Sequence, residues 1–161
     1  MIANRQRRVA VPIQPLEEFA ERARVEMQFP PESVGVELIS DEAMARLNWK
    51  FRQKRGPTDV LSFPANHEAP SPEAQYIGDI AISPETARRN ARAAGRSFDA
   101  ELRTLILHGM IHLAGFDHET DDGEMDYLEA RLRRRLGLAG LRARKGPAGK
   151  AAPKSSRPKS L

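Results

Sequence analysis

The sequence predicts an α+β domain in which a small, mixed, four-stranded sheet is packed with about five helices. Three observations carry this prediction. β-branched stretches and segments of helical apolar spacing follow one another along the chain; helical segments fall both between and after the strands; and serine, proline and glycine stand where helices must start and stop. No internal repeat interrupts the series.

RRVAVPI (7–13) is read as a first strand from its β-branched content, and LEEFAERARVEMQ (16–28) sets Leu16, Phe19, Ala20, Ala23 and Met27 at helical spacing. SVGVELIS (33–40) alternates as a strand. Ser40 then caps a helix from Asp41 to about Phe51, with Asp41 and Glu42 at the positive end of its dipole. TDVLSFP (58–64) and YIGDIAIS (76–83) complete the strands. Ser83-Pro84-Glu85 opens the next helix, with proline at the first helical position, and Gly95 stops it. Ser97 or Asp99 starts a helix whose apolar face runs through Leu102, Leu105, Ile106, Met110 and Leu113 and which ends near Gly115. A last helix spans about Glu124 to Leu136 and closes at Gly137.

The 161 residues supply one domain's worth of chain, and the net charge of +4 hides an asymmetry. Residues 140–161 carry seven basic side chains and no acid, so removing them turns +4 into −3 for the rest. The organisation expected is a domain over 1–139 and a basic, disordered tail over 140–161. That tail reads either as a flexible arm for polyanions such as RNA or as a solubilising extension without a partner. No apolar run approaches the ~18 residues of a membrane span. MIANRQRRVAVPI has a basic cluster but no apolar core of a signal peptide, so a cytoplasmic location is expected. The absence of cysteine excludes disulfides and thiolate metal sites, leaving histidine and carboxylate as the ligands for any zinc.

Three of the four histidines fall in TLILHGMIHLAGFDHE (104–119). His108 and His112, four apart on a helix, share a face and can reach one ion. His118, six further on, would point about 240° away on a continuous helix, so the chain must leave the helix between them. Gly115 is the residue type that takes the left-handed conformation ending it there. Three histidine ligands leave the fourth zinc position for water, the arrangement of a catalytic site, and zinc lowers that water's pKa to about 7. Asp117, Glu119 and backbone carbonyls are candidates to orient the ring nitrogens facing away from the metal. Asp117 reads equally as a surface or turn carboxylate, and His67 as an exposed loop residue.

The spacing alone is that of the metzincin proteases, but their general-base glutamate is replaced by Gly109. A glycine inside a helix costs about 1 kcal/mol relative to alanine. Either it lets a substrate group or a backbone approach the metal, or it serves tight helix packing. Both readings stay open.

HGMIHLAGFDHE (108–119) resembles the H-G-x-x-H-L-x-G-x-D-H signature of the YbeY family of metal-dependent endoribonucleases, also described as rRNA maturation factors. NWKFRQKRGPTDVLSFP (48–64) and IGDIAIS (77–83) resemble that family's other two signature stretches, in order, with Trp49 at a variable position. The likeness spans about residues 8–136. It implies a distantly zincin-like domain with a metal-bearing helix and one zinc ion. It implies too an enzyme that cuts single-stranded RNA, acting in 16S rRNA 3′-end maturation and ribosome quality control with the small ribosomal subunit and its proteins as partners. By position, His108, His112 and His118 match the metal ligands and Arg52 matches an arginine used for activity. From its surroundings alone, Arg52 beside Lys50, Lys54 and Arg55 reads as part of a solvated charged face. With the resemblance, Arg52 holds a phosphodiester bidentately while Lys50, Lys54 and Arg55 track the RNA strand. Two other classes remain: a metallopeptidase-like hydrolase, and a non-catalytic ribosome assembly factor with structural zinc.

Overall fold

The computed structural model describes residues 1–66, 75–116 and 122–138. In chain order the elements are β1 (Ile2–Asn4), α1 (Ile13–Glu26), β2 (Val34–Leu38), α2 (Asp41–Arg52), β3 (Val60–Pro64), β4 (Gly78–Ile82), α3 (Pro84–Ala94), α4 (Phe98–Leu113) and α5 (Glu124–Arg135). The α+β class, the mixed four-stranded sheet and the five helices are as the sequence predicts. The sheet runs β1-β2-β4-β3, with β1, β2 and β4 parallel and β3 antiparallel at the edge. The proposed tail (140–161) and His67 lie outside the described residues. No helix among the described residues is long and apolar enough to cross a membrane.

One element is corrected. Residues 7–13 are not a strand; the edge strand is Ile2–Asn4, paired with Val36–Leu38. The backbone of Val9 is satisfied by a side chain: Val9 N–H donates to Gln6 Oε1 at 3.0 Å, and Gln6 Nε2 donates to the Val9 carbonyl at 2.9 Å. With both groups bonded to one buried amide, Val9 buries its side chain without a ladder, and Pro12 then leads straight into α1. Elsewhere the boundary chemistry holds. Ser40, Ser83 and Ser97 each accept from a backbone N–H of the first turn of α2, α3 and α4.

Side chains alternate across the sheet, so each face has its own cover. Val36, Val60, Ile80 and Ile82 face a large core completed by Leu16 and Phe19 of α1, by α4, by Met125 and Leu132 of α5, and by Leu136 just beyond it. Leu61 and Ala81 face the other way, onto Met44 and Leu47 of α2. Asp41 at the start of α2 ties these helices to α3, accepting from Ser83 Oγ at 2.5 Å, Thr86 Oγ1 at 2.7 Å and Arg89 at 2.8 Å. Those donors outweigh burial and hold its carboxyl below the ordinary range. The sequence shows α4 with one apolar face, but in the fold it is buried on every side from Thr104 to Leu113. It is the central helix, and it carries the histidines.

Candidate functional site

Two contacts set the height of α4 on the sheet, both at Gly109, the residue after the first histidine. Ser62 Oγ of β3 donates to the Gly109 carbonyl at 3.2 Å. A Cβ at Gly109 would lie 2.9 Å from both Cδ1 and Cγ2 of Ile80 on β4. Of the two readings of this glycine, the geometry supports packing: a strand side chain fills the space a methyl group would need.

His108 and His112 are buried, each 4% exposed, and their Nε2 atoms converge to 3.0 Å with the rings nearly perpendicular at 81°. The nitrogens on the far side of each ring face acceptors. His112 Nδ1 lies 3.0 Å from the Phe116 carbonyl, which can only accept, so Nδ1 carries the proton and Nε2 the lone pair. The turn that brings this carbonyl back onto the ring is made at Gly115, whose φ of +94° is the left-handed conformation the sequence requires there. His108 Nδ1 lies 3.7 Å from Oε2 of Glu129 on α5.

With both Nδ1 atoms turned toward acceptors, the facing Nε2 atoms can share a proton or a metal ion. Two nitrogens about 2.0–2.1 Å from a tetrahedral ion lie roughly 3.3 Å apart, close to the separation here. The donor set therefore fits a metal. The third expected ligand, His118, lies outside the described residues, as do Asp117 and Glu119; among the described residues there is no cluster of three potential ligands.

Glu129 is the residue that sequence reasoning missed. It is 4% exposed on the core face of α5, and Arg133 Nε donates to its Oε1 at 3.1 Å. Burial works to raise its carboxyl pKa, but the adjacent His108 ring and Arg133 guanidinium outweigh this and lower it to about 2. Its only sequence signal is a Glu-x-x-x-Arg pair that, read along one helix, looks like a solvated ion pair.

Arg52 ends α2, the helix on the opposite sheet face, where the Phe51 ring packs edge-on against Phe63 of edge strand β3 at 5.1 Å. Lys54 and Arg55 are exposed in the following turn, which folds back so that Asn48 Nδ2 donates to the Gly56 carbonyl at 2.9 Å. Exposed Lys50 lies with Nζ 5.5 Å from the Phe51 ring centre. Beside it Trp49 is 55% exposed.

The family model described as Endoribonuclease YbeY matches residues 1–137. The chain belongs to the YbeY family. The match takes in both converging histidines, Arg52 and Glu129 and stops short of the basic tail. A protein named Endoribonuclease YbeY from Koribacter versatilis is 50% identical over 105 residues, 65% of each chain. One of the same name from Nautilia profundicola is 46% identical over 101 residues, 63% of this chain and 70% of that one. The match to the first thus spans just under two thirds of that relative's length. The solution structure of TM1509 from Thermotoga maritima superposes with a TM-score of 0.57 at 30% identity, covering 84% of this chain and 89% of that one. The α+β architecture around α4 is thus shared with a solved protein.

Proposed function

We propose that this YbeY-family chain is a single-strand-specific endoribonuclease working with one zinc ion held by His108, His112 and His118, acting in the cytoplasm on the 3′ end of 16S rRNA and in ribosome quality control. The observation that carries the reading is the convergence of His108 and His112 Nε2 at 3.0 Å in a chain whose family is named for endoribonuclease activity. In the sequence His118 follows Gly115 by three residues, which supports it as the third ligand. The small ribosomal subunit and its proteins, named by the sequence resemblance, are the proposed partners.

A divalent ion at this site supplies Lewis-acid polarisation of a phosphate oxygen and acidifies a bound water. The protein's own groups do the rest. The Phe116 carbonyl accepts at His112 Nδ1 and the Glu129 carboxylate faces His108 Nδ1, an arrangement that turns both Nε2 lone pairs to the gap. Arg52 offers a planar guanidinium to a phosphodiester, with Lys50, Lys54 and Arg55 tracking the strand. Position 109 itself carries no carboxylate, and Glu129 stands on the Nδ1 side of His108, away from the Nε2 gap. The nucleophile is then a water that a bound ion would acidify, or the RNA's own 2′-hydroxyl.

Cleavage of a single-stranded 16S-like rRNA fragment by zinc-loaded protein, beside His112→Ala and Arg52→Ala purified identically, tests this. The wild type is expected to cut, His112→Ala to be inactive and Arg52→Ala to lose about 100-fold or more. Equal cutting by all three means a contaminating nuclease. Full cutting by Arg52→Ala alone removes that arginine from the mechanism. Cleavage of casein and not RNA means a peptidase, and binding to the small subunit with no cleavage of either means an assembly factor.

A further inference from the structure

We propose that Glu129 is a positioning residue for His108 and that Arg133 holds it in place, so that α5 sets how tightly the histidine site grips a divalent ion. This rests on the metal reading of that site given above.

The buried face of α5 carries Met125, Glu129, Leu132 and Arg133. Leu136 continues that face beyond its last turn. A carboxylate at such a position is costly unless its partners compensate, and an apolar residue of similar volume would serve packing at least as well. What the carboxylate adds is a directed acceptor. Its two oxygens divide between two partners: Oε1 accepts from Arg133 Nε at 3.1 Å, and Oε2 faces His108 Nδ1 at 3.7 Å. Arg133, as buried as Glu129, thereby anchors Oε1 and leaves Oε2 to turn toward His108. The remaining gap exceeds a direct hydrogen bond, and rotation about the terminal torsion of glutamate, which is broad, closes it.

The consequence falls on the ring's other nitrogen. An acceptor behind Nδ1 fixes the proton there, aims Nε2 at the gap shared with His112, and makes Nε2 a stronger donor. His112 obtains the same service from the Phe116 carbonyl on its own helix end. His108, in the middle of α4, has its backbone carbonyls committed to the helix and draws its acceptor from a neighbouring element.

The test uses the full chain and zinc alone. The zinc dissociation constant is measured by competition with a chromophoric chelator for wild type, Glu129→Gln and the pair Glu129→Gln with Arg133→Met. Both variants are expected to bind zinc about 10–100-fold more weakly. In 1H–15N spectra of the zinc-loaded protein, the Nδ1–H signal of His108 should move and that of His112 should stay. The pair removes both buried charges, so it carries the test if Glu129→Gln leaves Arg133 uncompensated and unfolds. Weakening of less than about tenfold in a folded variant overturns the proposal, leaving Glu129 a packing role only. A wild-type protein that binds no zinc overturns instead the metal reading on which the proposal stands.

Discussion

Two imidazoles four residues apart on one helix end up with different supports: a backbone carbonyl behind His112 and a buried carboxylate behind His108. The carboxylate has a pH signature. Glu129 sits at about 2 in the fold against an ordinary 4.5. A carboxylate depressed by folding contributes stability that is present above the unfolded value and lost as pH falls through the folded one. Metal-free protein is therefore expected to lose stability between about pH 4.5 and 2 in urea unfolding, with a shallower loss in Glu129→Gln. Equal slopes would mean that folding does not depress this carboxylate. At this scale the histidine pair was legible because a spacing of four implies a shared face, whereas the role given to Arg52 rests on the resemblance alone. Glu129 was not legible, because Glu and Arg four apart look alike in sequence whether α5 turns them to water or to the core.

At the level of elements, α4 is the decisive piece, and Gly109 is where it meets the sheet. The Gly109→Ala side chain would press on Ile80, which is itself fully buried. Overpacking of about 1–3 kcal/mol outweighs the about 1 kcal/mol that alanine gains in helix propensity. Gly109→Ala is thus expected to lose up to about 2 kcal/mol in chemical denaturation. An unchanged or higher stability would show that Ile80 yields without cost and that the glycine answers to something other than packing. Helix starts were legible because serine caps act locally, within three residues. The strand expected at 7–13 failed for a non-local reason. Val9, Val11 and Ile13 alternate as a strand would, but the Gln6 amide takes the Val9 backbone, and the short Ile2–Asn4 stretch finds the open edge of β2.

Over the whole molecule, the family match and the basic run occupy separate stretches of sequence: the match ends at residue 137, and seven basic residues follow without an acid from 140 onward. If those residues act as an arm for RNA, deleting 140–161 should weaken RNA binding by an amount that shrinks as salt rises, with cleavage at saturating RNA unchanged. A salt-independent loss of turnover, followed by single-turnover cleavage, would contradict a tethering role. The sequence by itself determined the α+β class, the caps, the histidine pair and the break at Gly115, because each depends on residues within a few positions of one another. Tertiary structure alone decided which edge strand completes the sheet, what fills the space beside Gly109, and that Glu129 stands behind His108. Those outcomes depend on which surfaces meet, and residues 62, 80, 109 and 129 come together only when β3, β4 and α5 close around α4.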